Sequence, residues 1–435
     1  MNLKFLKTKE FKIKLIVSIV LLILFSLSFL FEEKLERMLG LVKNLAPNQI
    51  SESQLIDSDY EVHYLDVDQG NCTIVKLPDG KIMIIDGGNN FYGEKIFEFL
   101  NERNVVKIDY LIASHADADH IGGLNYLFDK FEIENIFRPM QIAGTIIYET
   151  ESTGNIVSHF EVYENEDLKE AYRAYGSAAF VETSSGVYRN FINNVYSETY
   201  TSLNGISKSN VIVFYDGLKI SGSGYELEFF APLKTETEVN FAEISNTGGF
   251  MTKIYNNDSS NNSSAIMLLT ILGDKYFFSG DASAKRSEND DGAKFEESDF
   301  ILSLTEEEKS CLSNIDVYLA AHHGSVYSTS STLVELLSMK YTIFSVGENS
   351  FGHPHDETIF RISLSKNLET DGILLLSQTG NVTFSNINDK VSYLCENCKK
   401  EEELLISYPL LVIILFSLCE VITLSIRVKR KIVWH

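Results

Sequence analysis

Cysteine is scarce in this sequence, and its scarcity excludes a fold held together mainly by disulfides. Five cysteines are too few to form a disulfide framework in a chain of 435 residues. Only Cys395 and Cys398 lie close together, and a single Cys-Glu-Asn-Cys is a weak zinc signal because a structural zinc site takes four ligands. This pair is expected to be a small disulfide or two inert thiols.

Positive charge is also in deficit. The chain has 37 Lys and Arg against 61 Asp and Glu, a formal net charge of -24 at pH 7. A basic surface that grips nucleic acid is disfavoured, because phosphate binding depends on Lys and Arg releasing counterions, although a local basic groove is compatible. With 44% hydrophobic residues, the chain is neither disordered nor fibrous. Its length allows two or three domains, or one large α/β domain with attachments.

Long apolar runs lie near both ends, at 15–31 and 404–426. At about 1.5 Å per residue each is long enough to cross a bilayer as a helix. The first run is longer than the apolar core of a usual signal peptide, and Phe29-Leu30-Phe31-Glu32 lacks the small-residue cleavage pattern, so an uncleaved anchor is expected. Basic residues precede the first run and follow the second: Lys4, Lys7, Lys9, Lys12, Lys14, Arg427, Lys429, Arg430 and Lys431.

This charge pattern predicts two transmembrane helices in the cell membrane, with basic cytoplasmic tails at 1–14 and 427–435 and an extracellular segment between the helices. Glu420 lies inside the second run. A carboxylate at such a position suggests pairing with a membrane protein partner, with protonation or snorkelling as the alternative.

The extracellular segment divides into three parts. A helical, charged pattern within 32–60 indicates a stalk, residues 61–390 alternate short strands with helices, and 391–403 is expected to be a juxtamembrane linker. Residues 142–216 are rich in Tyr, Ser, Asn and Glu, and they are predicted to be a surface insertion or a lid over a cleft. Predicted strands lie within 62–86, 108–113, 219–231, 265–272 and 275–278, and predicted helices at 94–104, 121–131, 168–180 and 187–195.

The strongest chemical motif is Ser114-His115-Ala116-Asp117-Ala118-Asp119-His120, directly after a predicted buried strand. Two imidazoles and two carboxylates within six positions suit a borderline or hard divalent metal. A surface acidic cluster explains the motif poorly, because it does not need histidine at both ends or the Gly122-Gly123 pair behind it. Ser279-Gly280-Asp281 and His322-His323-Gly324-Ser325 also follow apolar strands, and beside the first motif they become candidate metal ligands.

Together these motifs resemble the metallo-β-lactamase fold, and specifically the extracellular hydrolase domain of ComEC-type competence proteins. Further similarities lie at Asp66-Val67-Asp68-Gln69-Gly70, Ile84-Ile85-Asp86-Gly87-Gly88, Asn261 with Ser264, Ser345-Val346-Gly347 and Gly352-His353-Pro354-His355. The resemblance spans about 62–384 and implies an α/β, four-layer αββα sandwich that holds two divalent metal ions, zinc or manganese. Asp68 stands where the family usually has glycine and Asn71 where it has an acidic residue, and the membrane channel of the competence proteins is missing.

The resemblance also implies residue roles. His115, Asp117 and Asp281 would bind one metal, and Asp119, His120, Asp281 and His323 the other, so that Asp281 bridges. Asp66, Asp86, Asn261, Ser264 and Ser325 would support these ligands through hydrogen bonds. Asp119, His322 and His353 are the predicted catalytic residues, with His322 or His353 contacting the substrate oxyanion or protonating the leaving group. A capping or packing role beside Pro354 is the alternative for His353.

Three functions are compatible with these patterns. The first is a membrane-anchored, extracellular metal-dependent phosphodiesterase or nuclease acting on DNA. The second is a phosphodiesterase for cell-wall polymers that carry phosphocholine or teichoic acid, for which an acidic surface needs no explanation. The third is a non-catalytic sensor or partner-binding module, and the intact set of predicted metal ligands counts against it.

Overall fold

Two β-sheets form the centre of the fold in the computed structural model, which describes residues 49–51, 54–55, 58–139, 144–150, 156–162, 186–200, 209–233, 260–285 and 296–397. Both predicted transmembrane helices, Glu420 and the predicted helix 168–180 lie outside these residues. Within the described ranges, no helix is long and apolar enough to span a membrane.

The first sheet has eight strands in the order β17-β16-β1-β2-β3-β4-β5-β8, and the second has seven in the order β15-β14-β13-β12-β11-β10-β9, within the described residues. The strands are β1 Glu61–Tyr64, β2 Thr73–Lys76, β3 Ile82–Ile85, β4 Lys107–Ile112, β5 Glu132–Arg138, β6 Gly144–Thr150, β7 Ile156–Val162, β8 Asn210–Val213, β9 Lys219–Gly222, β10 Tyr225–Ala231, β11 Ile266–Ile271, β12 Asp274–Phe278, β13 Val317–Leu319, β14 Tyr341–Phe344, β15 Ile373–Leu375, β16 Val382–Asn386 and β17 Val391–Cys395. Strands β6 and β7 pair with each other. Neighbours run parallel from β3 to β8 in the first sheet and from β12 to β15 in the second.

Helices connect and cover these strands. They are α1 Gly93–Glu102, α2 Ala118–Ile121, α3 Gly186–Tyr200, α4 Glu296–Ser303, α5 Glu306–Cys311, α6 Ser331–Leu337, α7 Asp356–Ser363 and α8 Leu376–Thr379, with 3-10 turns at Asn90–Tyr92, Gly123–Tyr126, Ser260–Ser263 and Ala321–Gly324. Parallel neighbours require such crossovers, because a tight hairpin can join only antiparallel strands.

The apolar side chains form an outer layer on each sheet. On the first sheet, Ile96 of α1 and Phe191 of α3 belong to the same buried cluster as strand residues such as Leu111. On the second sheet, residues of α4, α6 and α7 pack with strand residues in the same way. Phe137 of β5 stacks on Phe229 of β10 between the sheets, with the ring centroids 6.1 Å apart. The layers are therefore helix, sheet, sheet and helix, which agrees with the predicted αββα sandwich.

The segment 142–216 contains core elements in its described parts, which corrects the prediction of a surface insertion or lid. Strand β8 extends the first sheet by pairing parallel with β5. In α3 the side chains of Tyr188, Phe191, Ile192 and Val195 are completely buried. Their spacing places them on one face of the helix. The surrounding Asn, Ser and Glu residues gave the segment its polar composition.

The domain is also longer than predicted at both ends. Strand β17 lies inside the expected linker 391–403 and pairs with β16. Gln49, inside the expected stalk, bridges Tyr393, and the N–H of Ile50 donates to the Tyr393 carbonyl at 2.8 Å. The described domain therefore runs from 49 to 397, with both of its ends side by side.

Cys395 is disulfide-bonded, and since Cys72 and Cys311 are free, its partner lies outside the described residues.

In place of the helix predicted over 121–131, the chain forms the short helix α2 and a 3-10 turn that begins at Gly123. The chain behind the motif packs closely against the loop that follows β3. A Cβ atom on Gly123 would lie 2.1 Å from the carbonyl oxygen of Gly87. This close approach places the loop that carries Asp86 directly against the loop that carries His120.

Candidate metal centre

The predicted ligands lie where parallel strands of both sheets end. Strand β4 leads into the His115–His120 motif, β12 leads to Asp281, and β13 leads to the His322-His323 turn. Strands β3 and β4 are parallel neighbours, as are β12 and β13, so each sheet brings its own strand ends to a common edge.

The Asp281 carboxylate lies at the middle of the cluster. Its Oδ1 is 3.1 Å from His120 Nε2, and its Oδ2 is 3.7 Å to 3.9 Å from the Nε2 atoms of His115, His322 and His323. The preceding Gly280 has a φ of +47°, and the Asp281 N–H donates to Ser264 Oγ at 3.0 Å. Ser264, one of the predicted supporting residues, therefore contacts the main chain of Asp281.

Two further carboxylates complete the cluster. Asp119 Oδ2 is 3.2 Å from His323 Nε2, and Asp117 Oδ2 is 3.7 Å from His115 Nε2. Two groups have ligand atoms that all lie within 4.8 Å of one another, His115 with His120 and Asp281, and Asp119 with His120 and His323. His120 belongs to both groups, whereas the sequence assigned it to one metal.

The ring nitrogens are arranged as metal binding requires. His120 Nδ1 is 2.7 Å from Asp86 Oδ2, and His323 Nδ1 is 2.9 Å from the Ser345 carbonyl oxygen. Both oxygens can only accept, so each Nδ1 carries the proton. Ser114 Oγ donates to the same Asp86 oxygen at 2.7 Å and therefore accepts from His115 Nδ1 at 3.0 Å. All three rings consequently direct Nε2 towards the centre, where each can bind a metal ion while its Nδ1 keeps a proton.

These inward-facing atoms fit divalent metal ions. The Nε2 atoms of His115, His120 and His323 and Oδ1 of Asp281 are buried and have no hydrogen-bond partner within the described part of the chain. Buried polar atoms are nearly always hydrogen-bonded, so a convergent set without partners needs another explanation. Imidazole nitrogens and carboxylate oxygens with fixed outer hydrogen bonds are the ordinary surroundings of such ions.

The charges of the cluster also favour a cation. Burial raises the pKa of Asp119, but the nearby His323 and His120 rings lower it to about 2. Burial alone would lower the pKa of His120, yet the carboxylates of Asp281 and Asp86 on either side raise it well above its ordinary value. The Asp119 carboxylate therefore stays ionised and attracts positive charge to this position.

The His322-His323 turn has an unusual backbone. Both residues have positive φ, 49° and 53°. The Ser325 N–H donates to the His322 carbonyl at 2.8 Å, so Ser325 closes the turn and does not touch the metal ligands directly. Behind the turn, the buried Glu297 carboxylate accepts the backbone N–H groups of Thr329 and Ser330 at 2.7 Å and 2.8 Å.

His353 lies beside this turn, with its ring centroid 5.4 Å from that of His322. Gln69 Nε2 is 3.3 Å from His353 Nδ1. An amide N–H can only donate, so His353 carries its proton on Nε2. Burial and the neighbouring His322 and His323 lower the pKa of His353 to about 4, and its ring is a neutral hydrogen-bond donor at neutral pH.

Besides Ser325, two predicted supporting residues have no hydrogen bond to the metal ligands in the described structure. Asp66 Oδ1 accepts from the Asp68 N–H at 3.3 Å within its own loop. Asn261 contributes its carbonyl to the Ser264 N–H at 3.2 Å, one step away from Asp281. The residues that sequence reasoning missed are Ser114, Gln69 and the main-chain oxygen of Ser345. Of these, only Ser114 could have been found from the sequence, because it is the polar residue between the buried strand and His115.

Part of this chain is similar to a known family and to a known protein. Residues 65–139 match the Metallo-beta-lactamase superfamily. ComE operon protein 3 of Bacillus subtilis (strain 168) is 30% identical over a stretch that covers 19% of this chain and 13% of that protein. This chain thus spans a small fraction of that relative's length.

Solved structures with a similar fold are distant in sequence. The metallo-beta-lactamase fold protein YhfI of Bacillus subtilis is 10% identical, and the similarity covers 73% of this chain and 96% of that chain with a TM-score of 0.36. A metallo-beta-lactamase of Cronobacter sakazakii is 11% identical over 60% of this chain and 77% of that chain, with a TM-score of 0.29. These TM-scores are too low to add to the family match. Residues 65–139 are thus similar to the metallo-beta-lactamase superfamily, and they lie within a mixed α/β domain that has two sheets and candidate His/Asp metal sites.

Proposed function

We propose that this protein is a membrane-anchored extracellular hydrolase that uses two divalent metal ions, zinc or manganese, to cleave phosphodiesters, with DNA as its substrate. The observation that carries the proposal is the position of the Asp281 carboxylate, which lies within 3.9 Å of four imidazole nitrogens. A carboxylate surrounded in this way suits a bridging ligand between two ions. Asp119, Asp117 and the three metal-facing rings provide the remaining ligands.

Two ions bound here would supply a nucleophilic hydroxide near neutral pH and hold the oxygens of the reacting phosphate. The protein's own groups then orient the substrate. His322 is 26% exposed and reaches the centre from the open side, while His353 offers a neutral Nε2–H. A hydrogen bond from either ring to a phosphate oxygen would stabilise charge that develops during cleavage.

DNA is favoured by the resemblance of the motifs to the hydrolase domain of ComEC-type competence proteins and by the partial similarity to ComE operon protein 3. The net charge of -24 favours the second candidate, a phosphodiesterase for cell-wall polymers, because a strongly acidic chain repels a polyanion. Both candidates use the same metal-binding residues, so substrate tests separate them.

An extracellular location is supported by Cys395, which is disulfide-bonded, because disulfides persist mainly outside the reducing cytosol. Cytoplasmic tails and a membrane protein partner at Glu420 belong to the same proposal.

The test is cleavage of labelled single- and double-stranded DNA by the full-length chain with manganese or zinc, beside the variants Asp119→Ala and Asp129→Ala. Asp129 is an exposed carboxylate outside the cluster and serves as the control. We expect cleavage by the parent and Asp129→Ala chains and none by Asp119→Ala. DNA that survives both metals while a generic phosphodiester is hydrolysed would refute the DNA assignment and favour cell-wall polymers.

A further inference from the structure

The loop from Gly347 to His353 lies beside the metal centre and is held in one conformation by its own asparagine. Asn349 Oδ1 accepts the backbone N–H groups of Phe351 and His353 at 3.0 Å and 3.1 Å. Its Nδ2 donates to the carbonyl oxygens of Gly347 and His353 at 2.9 Å and 2.8 Å. Four hydrogen bonds from one side chain therefore fix the path of this loop.

Asp68 also restrains this loop, at a position where the resemblance predicts glycine. Asp68 has a φ of +60°, which explains why glycine suits the position. Its carboxylate accepts the Glu348 N–H at 3.0 Å and the Tyr92 hydroxyl at 3.3 Å. The aspartate that replaces the expected glycine thus connects this loop to Tyr92 through hydrogen bonds.

The fixed loop presents an aromatic ring to solvent. Phe351 is 67% exposed, although the loop that carries it is well anchored. One face of the ring stacks on His353, with the centroids 5.7 Å apart and the planes 28° apart. His353 in turn stacks on the predicted metal ligand His323 at 6.4 Å and 29°. The ring contacts therefore run from the predicted metal ligand His323 through His353 to the exposed ring of Phe351.

We propose that Phe351 is a stacking platform for an unpaired nucleobase of the substrate, close to the phosphate that is cleaved; this inference rests on the proposed function. The two ring contacts place a flat apolar face two ring spacings from the predicted metal ligand His323. Stacking does not depend on cations, and the chain has a deficit of Lys and Arg for binding the backbone. A base inside a duplex has both faces covered, so the platform selects single strands.

The test compares the full-length, manganese-loaded chain with Phe351→Ala, Phe351→Trp and Phe360→Ala. Phe360 is a matched control, because it is a phenylalanine on α7 that is 64% exposed. The substrates are a single-stranded oligonucleotide and one of equal length that consists only of abasic residues. Loss of one stacked base costs about 1–3 kcal/mol, so we expect Phe351→Ala to raise KM for the normal strand by about 5- to 150-fold, with kcat little changed.

The other variants and the abasic strand distinguish recognition of a base from a structural role of the Phe351 ring. Phe351→Trp should keep the parental KM, Phe360→Ala should match the parent, and every active chain should cleave the abasic strand with the same KM. Equal effects of Phe351→Ala on both strands, or no effect on either, would overturn the inference while leaving the nuclease proposal intact. If the parent cleaves no DNA but hydrolyses a phosphocholine ester with a KM that Phe351→Ala raises, a cationic headgroup is the occupant and both proposals fail.

Discussion

Replacing Asp86 with asparagine should weaken metal binding while leaving the fold intact. Asp86 is 2% exposed, and its two oxygens accept three hydrogen bonds, from the Ser114 N–H, Ser114 Oγ and His120 Nδ1, each at 2.7 Å. In the variant, the amide oxygen can still accept the Ser114 N–H. The NH2 group then faces His120 Nδ1 and can only donate to it.

The consequence for His120 follows from its tautomers. If Nδ1 accepts a hydrogen bond, the proton moves to Nε2, the atom that faces Asp281 at 3.1 Å. A protonated Nε2 cannot bind a metal ion, and His120 belongs to both ligand groups. Loss of such a supporting hydrogen bond typically costs 10- to 100-fold in metal affinity, or about 1.4–2.7 kcal/mol, so we expect at least this loss.

The assay is titration of the metal-free full-length chain with zinc in competition with a chelator, together with urea denaturation. Asp109→Asn is the matched control, because Asp109 is also buried and accepts the Ile82 N–H at 2.9 Å near the start of β3. The control should lose stability and keep its metal affinity. Unchanged zinc affinity in Asp86→Asn, or an equal loss in the control, would refute the tautomer argument.

Three further changes test other parts of the domain. Asp281→Asn should lower the metal content measured by mass spectrometry and abolish hydrolysis, and a fully loaded variant would contradict a bridging role. Glu297→Ala should cost about 2–5 kcal/mol in urea denaturation, because two backbone amides before α6 lose their acceptor, and a loss below about 1 kcal/mol would count against this. Burial raises the pKa of Glu61, but hydrogen bonds from His63 and Lys76 lower it to about 2, so its contribution to stability is present above pH 4.5 and declines towards pH 2. Acid titration of unfolding should show this decline in the parent and less of it in Glu61→Gln.

Most strands and the metal-binding motifs could be predicted because they carry local signals. Short apolar strands end in polar residues, and the motif from His115 to His120 combines ligand types that seldom occur together without a metal. The burial of α3 and the strand β17 are among the features that were not predicted. The helix itself was predicted over 187–195, but its apolar positions lie among many polar residues, which hides its core face. Strand β17 lies between a predicted domain end and an apolar run, where only its pairing with β16 identifies it as a strand.

The details of the site depend on contacts that the sequence does not contain. The Ser345 carbonyl fixes His323 through a main-chain atom, which no residue type reveals. Gln69 reaches His353 across 284 positions of the chain. The shared position of His120 between two ligand groups is a matter of distances within a few ångströms. Such features follow from how the two sheets face each other.

The backbone conformation of the His322-His323 turn affects how the metal centre evolves. Two successive residues with side chains lie in the left-handed region, where glycine is favoured and other residues cost of order 1 kcal/mol or more each. The imidazoles that the site needs therefore occupy positions where selection for stability alone would prefer glycine. Among descendants of this chain that no longer bind metal, the turn should be among the first parts of the site to drift, and glycine its commonest replacement.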